Sequence, residues 1–392
     1  MSTEQEAIDW RELRFTQIEL ANWRNFSAAT TPLQRRMFFV GPNAAGKSNF
    51  LDAFRFLADI VNVGGGFESA VKRRGGVSML RAFSARRYPG ISIRVRLGTD
   101  DEESVWEYEL TFSQDNQRRP VIMKERVLHY GDVVLDRPDG EDASDPERLR
   151  QTHLEQVNVN RDFRDVAEFC ASTRYMHIVP QLVREPDRSV GKANDPFGGD
   201  FIEQIARTTK RTRDARLRRI VAALRVAVPQ LEELELTTDV RGVPHLRGKY
   251  KHWRKNGAWQ EEAHYSDGTL RLMGLLWAVA EGRGPLLLEE PELSLHPEVV
   301  RYIPQMFSQV QRRSGRQILA STHSVELLAD PGIALDEVVV LTPSNEGTSV
   351  ALARDVEDIC LQHAAGIPLP EILTALTGPR GVDQLGLFGA RS

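Results

Sequence analysis

The sequence between residues 41 and 48 reads Gly41-Pro42-Asn43-Ala44-Ala45-Gly46-Lys47-Ser48. It matches the pattern GxxxxGK[ST], in which glycines let backbone N–H groups turn inward around phosphate groups. Lys47 would supply a positive charge beside the β- and γ-phosphates, the Ser48 hydroxyl would bind Mg²⁺, and Asn49 would border the nucleotide. An apolar run at 37–40 precedes the loop, and apolar residues at helical spacing follow it over 50–61. This strand–loop–helix order predicts an α/β fold that binds the phosphates of a nucleotide.

A second apolar segment ends in acidic residues, in the sequence Leu286-Leu287-Leu288-Glu289-Glu290-Pro291-Glu292. In a parallel sheet, the carboxyl end of such a strand lies beside the phosphate loop. We expect Glu289 to hold Mg²⁺ through a water molecule and Glu290 to orient and deprotonate the attacking water. The alternative is a solvated strand end, which the phosphate loop elsewhere in the chain disfavours.

The rest of the sequence predicts a nucleotide-binding core that is interrupted by an inserted region. Short alternating segments between residues 91 and 135 predict an antiparallel sheet. Helical and strand patterns alternate over 266–341, which predicts a parallel α/β sheet. We therefore divide the chain into a first part of the core (1–62), an antiparallel β-subdomain with loops (63–150), an inserted lid (151–262), a second part of the core (263–345) and a C-terminal extension (346–392).

Local patterns give further expectations for the connecting regions. They are a mobile glycine-rich connection (62–76), a surface loop (136–150), a helix (161–171), a strand (175–179), one long helix (200–227), strands (within 231–264) and a helix (297–313). No heptad repeat is sustained, so we do not expect a long coiled-coil arm.

Three further motifs resemble those of the ABC/SMC-type AAA family ATPases. Residues 265–271 (YSDGTLR) resemble the signature sequence, in the form found in RecF-like, OLD-like and SMC-related members. Residues 289–297 (EEPELSLHP) resemble a Walker B motif followed by a D-loop, and residues 321–324 (STHS) resemble the switch-histidine loop. The resemblance covers residues 13–62 and 262–343. It implies a P-loop NTPase of the ABC ATPase type, with an antiparallel β-subdomain and an inserted helical or mixed lid.

The resemblance also implies a site that two copies of the chain share. Ser266 and Gly268 would lie at a helix N-terminus and contact the γ-phosphate of ATP held by the second copy. His323 would contact the γ-phosphate within its own copy, although a lone histidine is more often a core or surface residue. ATP would then join the copies as a dimer, or within a higher oligomer, and hydrolysis would release them. The site departs from the family at Glu289, where most related ATPases have aspartate.

Two other parts of the family pattern are less distinct. Residues 22–26 (NWRNF) resemble the segment that borders the nucleotide base, where Arg24 or Asn25 would make the contact. Gln181 is the candidate for the glutamine loop, and a structural role is an equal alternative for it.

Charge is distributed unevenly along the chain. The formal net charge of -4 argues against a uniformly basic surface, but residues 207–219 carry seven basic residues and one acid, and residues 247–255 mix basic and aromatic residues. Such segments can neutralise DNA phosphates and stack on bases. The alternative is that both are ordinary solvated faces.

The sequence ends with a short motif of a different kind. Residues Gln384 to Phe388 (QLGLF) resemble the bacterial sliding-clamp binding peptide, whose form is Gln-Leu-Ser/Asp-Leu-Phe. Leu387 and Phe388 would fill a hydrophobic pocket of the clamp, with Gln384 fixing the register. The alternative is a tail that packs on its own domain.

These observations favour an ATP-dependent switch that acts on DNA in repair or in defence against phage. The sequence carries no nuclease constellation, so any cleavage is expected from a separate nuclease or effector protein. A transporter's ATPase subunit and a nucleotide-sensing scaffold with slow turnover are the two alternatives. Cys170 and Cys360 are the only cysteines, and the first residues are unlike a signal peptide, so we expect a cytoplasmic protein without a membrane partner.

Overall fold

The computed structural model describes residues 8–82, 90–186, 195–251 and 258–378. Its strands form two six-stranded sheets and one three-stranded sheet. The strands are β1 (Arg14–Trp23), β2 (Phe26–Pro32), β3 (Arg36–Val40), β4 (Ile91–Gly98), β5 (Trp106–Gln114), β6 (Pro120–His129), β7 (Asp132–Arg137), β8 (Arg174–Met176), β9 (Leu231–Thr238), β10 (Pro244–Tyr250), β11 (Ala258–Glu261), β12 (Leu286–Glu289), β13 (Ile318–Ser321), β14 (Val338–Ser344) and β15 (Gly347–Leu352).

The α-helices lie between and after these strands. They are α1 (Lys47–Val61), α2 (Phe67–Arg73), α3 (Val77–Leu80), α4 (Gly140–Ser144), α5 (Arg164–Ser172), α6 (Pro180–Val183), α7 (Phe201–Arg207), α8 (Lys210–Leu224), α9 (Asp267–Ala280), α10 (Pro297–Val300), α11 (Ile303–Ser314), α12 (Val325–Leu328), α13 (Glu357–Ala364) and α14 (Leu369–Thr377).

The central sheet has the strand order β15-β14-β3-β13-β12-β8. Its strands run parallel except for β15, which is antiparallel at one edge. Every residue of β3 and β13 is buried, because helices cover both faces of such a sheet. Strands β3, β13 and β12 are parallel neighbours, so the loops that follow them lie side by side at the carboxyl ends of the strands.

Helix α1 packs between the central sheet and the antiparallel sheet. Phe50 contacts Phe39 of β3 with ring centroids 4.9 Å apart, and Phe54 contacts Phe15 of β1 at 4.7 Å. All four rings are fully buried, and each contributes roughly 2 kcal/mol of hydrophobic stabilisation. Both sheets therefore hold the helix that follows the phosphate loop.

The antiparallel sheet has the order β2-β1-β4-β5-β6-β7, so the sheet predicted over residues 91–135 is present as β4 to β7. It also contains β1 and β2, from the predicted segment 1–62, while β8 of the predicted lid belongs to the central sheet. Sheet membership thus crosses the expected boundaries in two places, and the domain limits remain a prediction.

Two connections expected to be irregular contain helices and buried side chains. The segment 62–76 includes α2, which buries Phe67. The segment 136–150 includes α4, and within it the fully buried Arg137 donates hydrogen bonds of 2.7 and 2.9 Å to Asp142. Most of this segment is exposed, as expected for a surface loop, but the ion pair turns Arg137 and Asp142 inward.

Two helices that the sequence predicts as single are each divided. The helix expected over 200–227 is divided into α7 and α8 at Thr208 and Thr209, and the helix over 297–313 into α10 and α11. Pro304 lies in the first turn of α11, where its missing N–H costs no hydrogen bond. Among the described residues, no helix is both long and apolar enough to cross a bilayer.

The inserted region shares its core with α9. Strands β9 to β11 form the small antiparallel sheet, as expected for the described part of 231–264. Leu246 of this sheet and Leu224 of α8 belong to one buried cluster with Leu270 and Trp277 of α9. The inserted region therefore rests on the helix that follows the signature-like motif.

The other end of α9 is tied to the central sheet by a buried arginine. The guanidinium of Arg316 donates hydrogen bonds to the carbonyl oxygens of Gly284 (2.8 Å), Ala278 and Glu281. Burial lowers the pKa of Arg316 to about 10. These bonds fix the C-terminus of α9 relative to the start of β12.

Candidate nucleotide-binding site

The phosphate loop joins β3 to α1 through a tight turn. Gly46 has φ +94°, and a Cβ atom there would lie 2.1 Å from Nδ2 of Asn25, so only glycine fits. Ala44 also has a positive φ, of 65°, which is uncommon for a residue with a side chain. The turn ends at the N-terminus of α1, where the first N–H groups have no partner within the helix. This geometry is suited to an anion.

Lys47 is buried inside the loop that precedes it. Its ammonium donates to the carbonyl oxygens of Gly41 at 2.8 Å and Pro42 at 3.3 Å. Burial lowers the pKa of Lys47, and the carboxylates of Glu290, Glu292 and Glu289, at and just after the end of β12, oppose this effect. The positive charge therefore lies between the loop and the acids, where phosphate groups would enter.

Asn25 supports the loop from behind. Its Nδ2 donates to the carbonyl oxygen of Ala45 (2.9 Å) and to Oγ1 of Thr348 (2.7 Å), while its Oδ1 accepts from Nδ2 of Asn49 (2.8 Å). Thr348 also donates to Ala45 O at 2.9 Å. Asn25 and Asn49 thus hold each other and the loop backbone. The resemblance gave Arg24 or Asn25 a contact with the base, and this contact stays a prediction; in this structure the polar atoms of Asn25 bond to protein groups.

Ser48 and Glu289 meet across the edge of the central sheet. The Ser48 hydroxyl donates to one carboxylate oxygen of Glu289, and the Tyr175 hydroxyl donates to the other. Nδ1 of His177 lies 3.3 Å from the carbonyl oxygen of Glu289. Burial, and then the charge of Glu289, raises the pKa of Tyr175, so the phenol remains a donor at neutral pH. Sequence reasoning had assigned no role to Tyr175 or His177.

The oxygen donors at this point fit Mg²⁺. This ion prefers hard oxygen ligands and is usually held by one or two protein groups together with substrate phosphates. The Ser48 hydroxyl and the Glu289 carboxylate are such donors, and they lie in contact with each other. Within the described ranges, no group of three or more His, Cys, Asp or Glu side chains is placed to hold a metal alone. A magnesium ion here would therefore take some of its ligands from these side chains and the others from the phosphates of the nucleotide.

Glu290 lies beside His323 at the mouth of the site. His323 Nδ1 is 3.2 Å from the Glu290 carboxylate, and the two side chains are 48% and 24% exposed. Glu290 has φ +45°, and its N–H donates to the carbonyl oxygen of Ser321 at 3.0 Å. Strained backbone of this kind concentrates at functional sites. The residue predicted to activate the attacking water and the residue predicted to contact the γ-phosphate are thus neighbours.

A third glutamate joins the D-loop to the switch-histidine loop. Glu292 is almost fully buried and accepts a 2.6 Å hydrogen bond from the hydroxyl of Thr322, the residue before His323. Burial raises the pKa of Glu292. The sequence placed Glu292 in the motif but assigned it no role, because its partner lies 30 residues away.

The signature-like residues lie at the start of α9. Exposed Ser266 caps the helix, and its Oγ accepts from the N–H of Thr269 at 3.2 Å. A Cβ atom on Gly268 would lie 2.5 Å from the carbonyl oxygen of Ser294, so glycine allows α9 to approach the D-loop. Within the described part of the chain, no hydrogen bond connects Ser266 or Gly268 to the phosphate loop of the same copy.

Comparison with known proteins agrees with this geometry. Residues 36–329, which include the phosphate loop, the acids after β12 and His323, match the family described as "AAA domain, putative AbiEii toxin, Type IV TA system". The chain belongs to this family of AAA ATPases. The matched range covers most of the chain, and no curated protein matches the sequence.

Solved structures similar to this AAA ATPase include SMC head domains. One is the SmcHead bound to the C-winged helix domain of ScpA, with 13% identity, a TM-score of 0.52, and coverage of 86% of this chain and 96% of that chain. Another is the Smc head domain with a coiled coil and joint derived from Pyrococcus yayanosii, with 11% identity, a TM-score of 0.50, and coverage of 87% and 97%. The fold is therefore that of an ABC/SMC-type P-loop NTPase, as the sequence predicted.

The residues predicted to border the base and to form the glutamine loop lie as follows. Arg24 pairs with Asp52 of α1 at 3.1 Å, which directs its guanidinium toward the helix. Gln181 is exposed in α6, just beyond the end of β8. The roles of both in this AAA ATPase remain predictions.

The two basic segments differ in how their charges are paired. On β10, Arg247 pairs with Glu235 at 2.5 Å and Lys249 with Glu233 at 3.3 Å. Residues 252–257, and the motif from Gln384 to Phe388, lie outside the described residues.

On helix α8, a smaller share of the basic side chains is paired with acidic residues than on β10. Arg213 lies 3.6 Å from Asp214, and Arg216 lies 3.9 Å from Glu281. Four other cations of this helix are exposed and make no ion pair with another described residue. They are Lys210, Arg211, Arg218 and Arg219.

Because Asn25 supports the phosphate loop, we predict that a negative charge at this position weakens nucleotide binding, whereas the same change at a distant position does not. Asn25→Asp replaces the donor beside Ala45 O with a carboxylate oxygen, which repels that carbonyl and places negative charge beneath the phosphate loop. We expect affinity for a fluorescent ATP analogue to fall at least about tenfold. Asn116→Asp, the same change in an exposed turn, should leave affinity unchanged. Equal affinities for the two variants would contradict a supporting role for Asn25.

Proposed function

We propose that this AAA ATPase hydrolyses ATP at a site shared by two copies of the chain. The observation that carries the proposal is that Lys47, Ser48, Glu289, Glu290 and His323 converge at one edge of the central sheet. A phosphate-binding loop beside two carboxylates and a histidine is an arrangement suited to phosphoryl transfer to water.

Each residue of the first copy has a distinct part in the proposed reaction. Lys47 neutralises the β- and γ-phosphates, and Ser48 with Glu289 holds Mg²⁺, which when bound spreads the charge that develops on the phosphates. Glu290 orients the attacking water and takes its proton. His323, 3.2 Å from Glu290, binds the γ-phosphate and fixes that carboxylate.

The second copy completes the site in this proposal. Ser266 is exposed at the N-terminus of the 14-residue helix α9, where free N–H groups attract an anion. The contact of Gly268 with Ser294 places this helix end next to the D-loop. We infer that the Ser266 end of one copy contacts the γ-phosphate bound by the other, so that ATP links the copies.

Mixing two inactive variants tests the shared site. Lys47→Ala removes the phosphate-loop cation, and Ser266→Arg blocks the helix end, so neither variant alone should hydrolyse ATP. A mixed dimer has one intact site, formed by the loop of the Ser266→Arg chain and the helix of the Lys47→Ala chain. An equal mixture should therefore recover about a quarter of wild-type turnover, because half of randomly formed dimers are mixed.

The outcomes of this mixture separate the alternatives. If each site lay within one chain, the mixture would stay inactive even when mixed dimers are detected by mass. If wild type itself bound ATP without turnover, the chain would be a nucleotide-sensing scaffold and the hydrolase proposal would fail.

We further propose that the exposed basic face of α8 contacts duplex DNA. Lys210, Arg211, Arg218 and Arg219 are exposed. Small residues lie near them, Ala215 between Arg211 and Arg218, and the exposed Ala222 and Ala223 one turn beyond, so a phosphate backbone can approach closely. The predicted contact through residues 247–255 has weaker support, since Arg247 and Lys249 already have acidic partners.

Charge reversal on α8 tests the DNA contact. Arg211→Glu combined with Arg218→Glu should weaken duplex DNA binding at least tenfold and make the salt dependence shallower by about two counterions. The matched control is Arg312→Glu with Arg313→Glu, two exposed arginines of α11. Equal losses in the two double variants would indicate only a general charge effect and would contradict a contact through α8.

The biological setting of the proposed switch is DNA repair or defence against phage. The family description, which names a putative toxin of a type IV toxin–antitoxin system, supports the second setting. A separate nuclease or other effector would carry out any cleavage. A sliding clamp, bound through the segment from Gln384 to Phe388, is the proposed partner in repair.

A further inference from the structure

The carboxylate proposed to hold Mg²⁺ belongs to a glutamate, and a tyrosine on the neighbouring strand binds it. Glu289 is one methylene longer than the aspartate found at this position in most related ATPases. A longer side chain reaches farther and has one more rotatable bond, so it needs an additional contact to fix its carboxylate. In this chain, each carboxylate oxygen has a hydroxyl donor: Ser48 for Oε1 and Tyr175 for Oε2.

The register of β8 against β12 places Tyr175 for this contact. Tyr175 pairs with Leu287, and side chains alternate between the faces of a strand, so Leu287 and Glu289 share a face. That face is covered by α1, the helix that carries Ser48. Tyr175 and Ser48 therefore approach the Glu289 carboxylate from the edge strand and from the helix.

The ring of Tyr175 is itself held in place. The guanidinium of Arg55, on α1, lies 5.1 Å from the ring centroid, within the range of a cation–π contact. Arg55 also lies 3.9 Å from Asp59 in the next turn of α1. The phenol is thus packed between α1 and the edge of the central sheet, with its hydroxyl directed at Glu289.

From this arrangement we propose that Tyr175 is a positioning residue for Glu289, which orients the longer carboxylate toward Ser48 and Mg²⁺. The proposal rests on the proposed ATP site and adds a residue that does not touch the nucleotide. Removing a group that orients a metal ligand typically lowers metal affinity by about 10- to 100-fold. Binding of ATP without Mg²⁺ should depend little on this contact, because the Tyr175 hydroxyl bonds to Glu289 and, among the described residues, has no hydrogen bond to Lys47 or the loop before it.

The test measures binding of a fluorescent ATP analogue to the full chain as Mg²⁺ is titrated. Tyr175→Phe keeps the ring and its packing but removes the hydroxyl. The Mg²⁺ concentration at the midpoint should rise by about tenfold, while affinity in EDTA and the melting temperature stay close to those of wild type.

A double-variant cycle separates this role from general packing. An aspartate at position 289 is one methylene shorter, which should draw its carboxylate away from the Tyr175 hydroxyl, so adding Tyr175→Phe to Glu289→Asp should change the midpoint little. The same shift in both backgrounds, or no shift in either, would overturn the positioning role. If wild type binds no ATP in EDTA or in Mg²⁺, the proposed function fails instead, and the two failures are therefore distinguishable.

Discussion

The site depends on the adjacency of three buried parallel strands, in the order β3, β13 and β12. Neighbouring strands lie about 4.8 Å apart, so the loop after β3 and the acids after β12 are separated by roughly 10 Å. Side chains can bridge that distance: Ser48 reaches Glu289 across it, and His323, after the middle strand, reaches Glu290. The complete burial of β3 and β13 fixes this order, because a change of pairing would expose apolar side chains.

The helices on the two faces connect this edge to the rest of the molecule. Helix α1 is packed between the two large sheets, and α9 is attached at both ends, by Gly268 against Ser294 and by Arg316 at its C-terminus. A displacement of the exposed end of α9 would therefore be transmitted to the D-loop through Gly268 and to the start of β12 through Arg316. This coupling supports the proposed switch, in which a second copy would respond to the bound nucleotide.

Local sequence patterns predicted the strands and helices of the core. They could not predict side-chain contacts between residues that are far apart in the sequence. The phosphate loop could be placed because the strand, glycines and helix that define it are contiguous. The partners of Asn25 could not be found, since Thr348 is 323 residues away and reaches the loop only through β15. Tyr175 was missed for a similar reason, because its contact depends on the register of β8 against β12. Composition also gave no sign of the buried ion pair between Arg137 and Asp142, which lies within a largely exposed segment.

The most direct test of the shared site is the solution mass of Glu290→Gln with and without Mg-ATP. This variant keeps the phosphate loop and the exposed end of α9 but lacks the carboxylate that takes the proton from water, so ATP should persist in the site. The account predicts the mass of one chain without nucleotide and twice that mass with Mg-ATP, together with loss of turnover. A mass that stays at one chain while ATP is demonstrably bound would contradict the claim that ATP joins two copies.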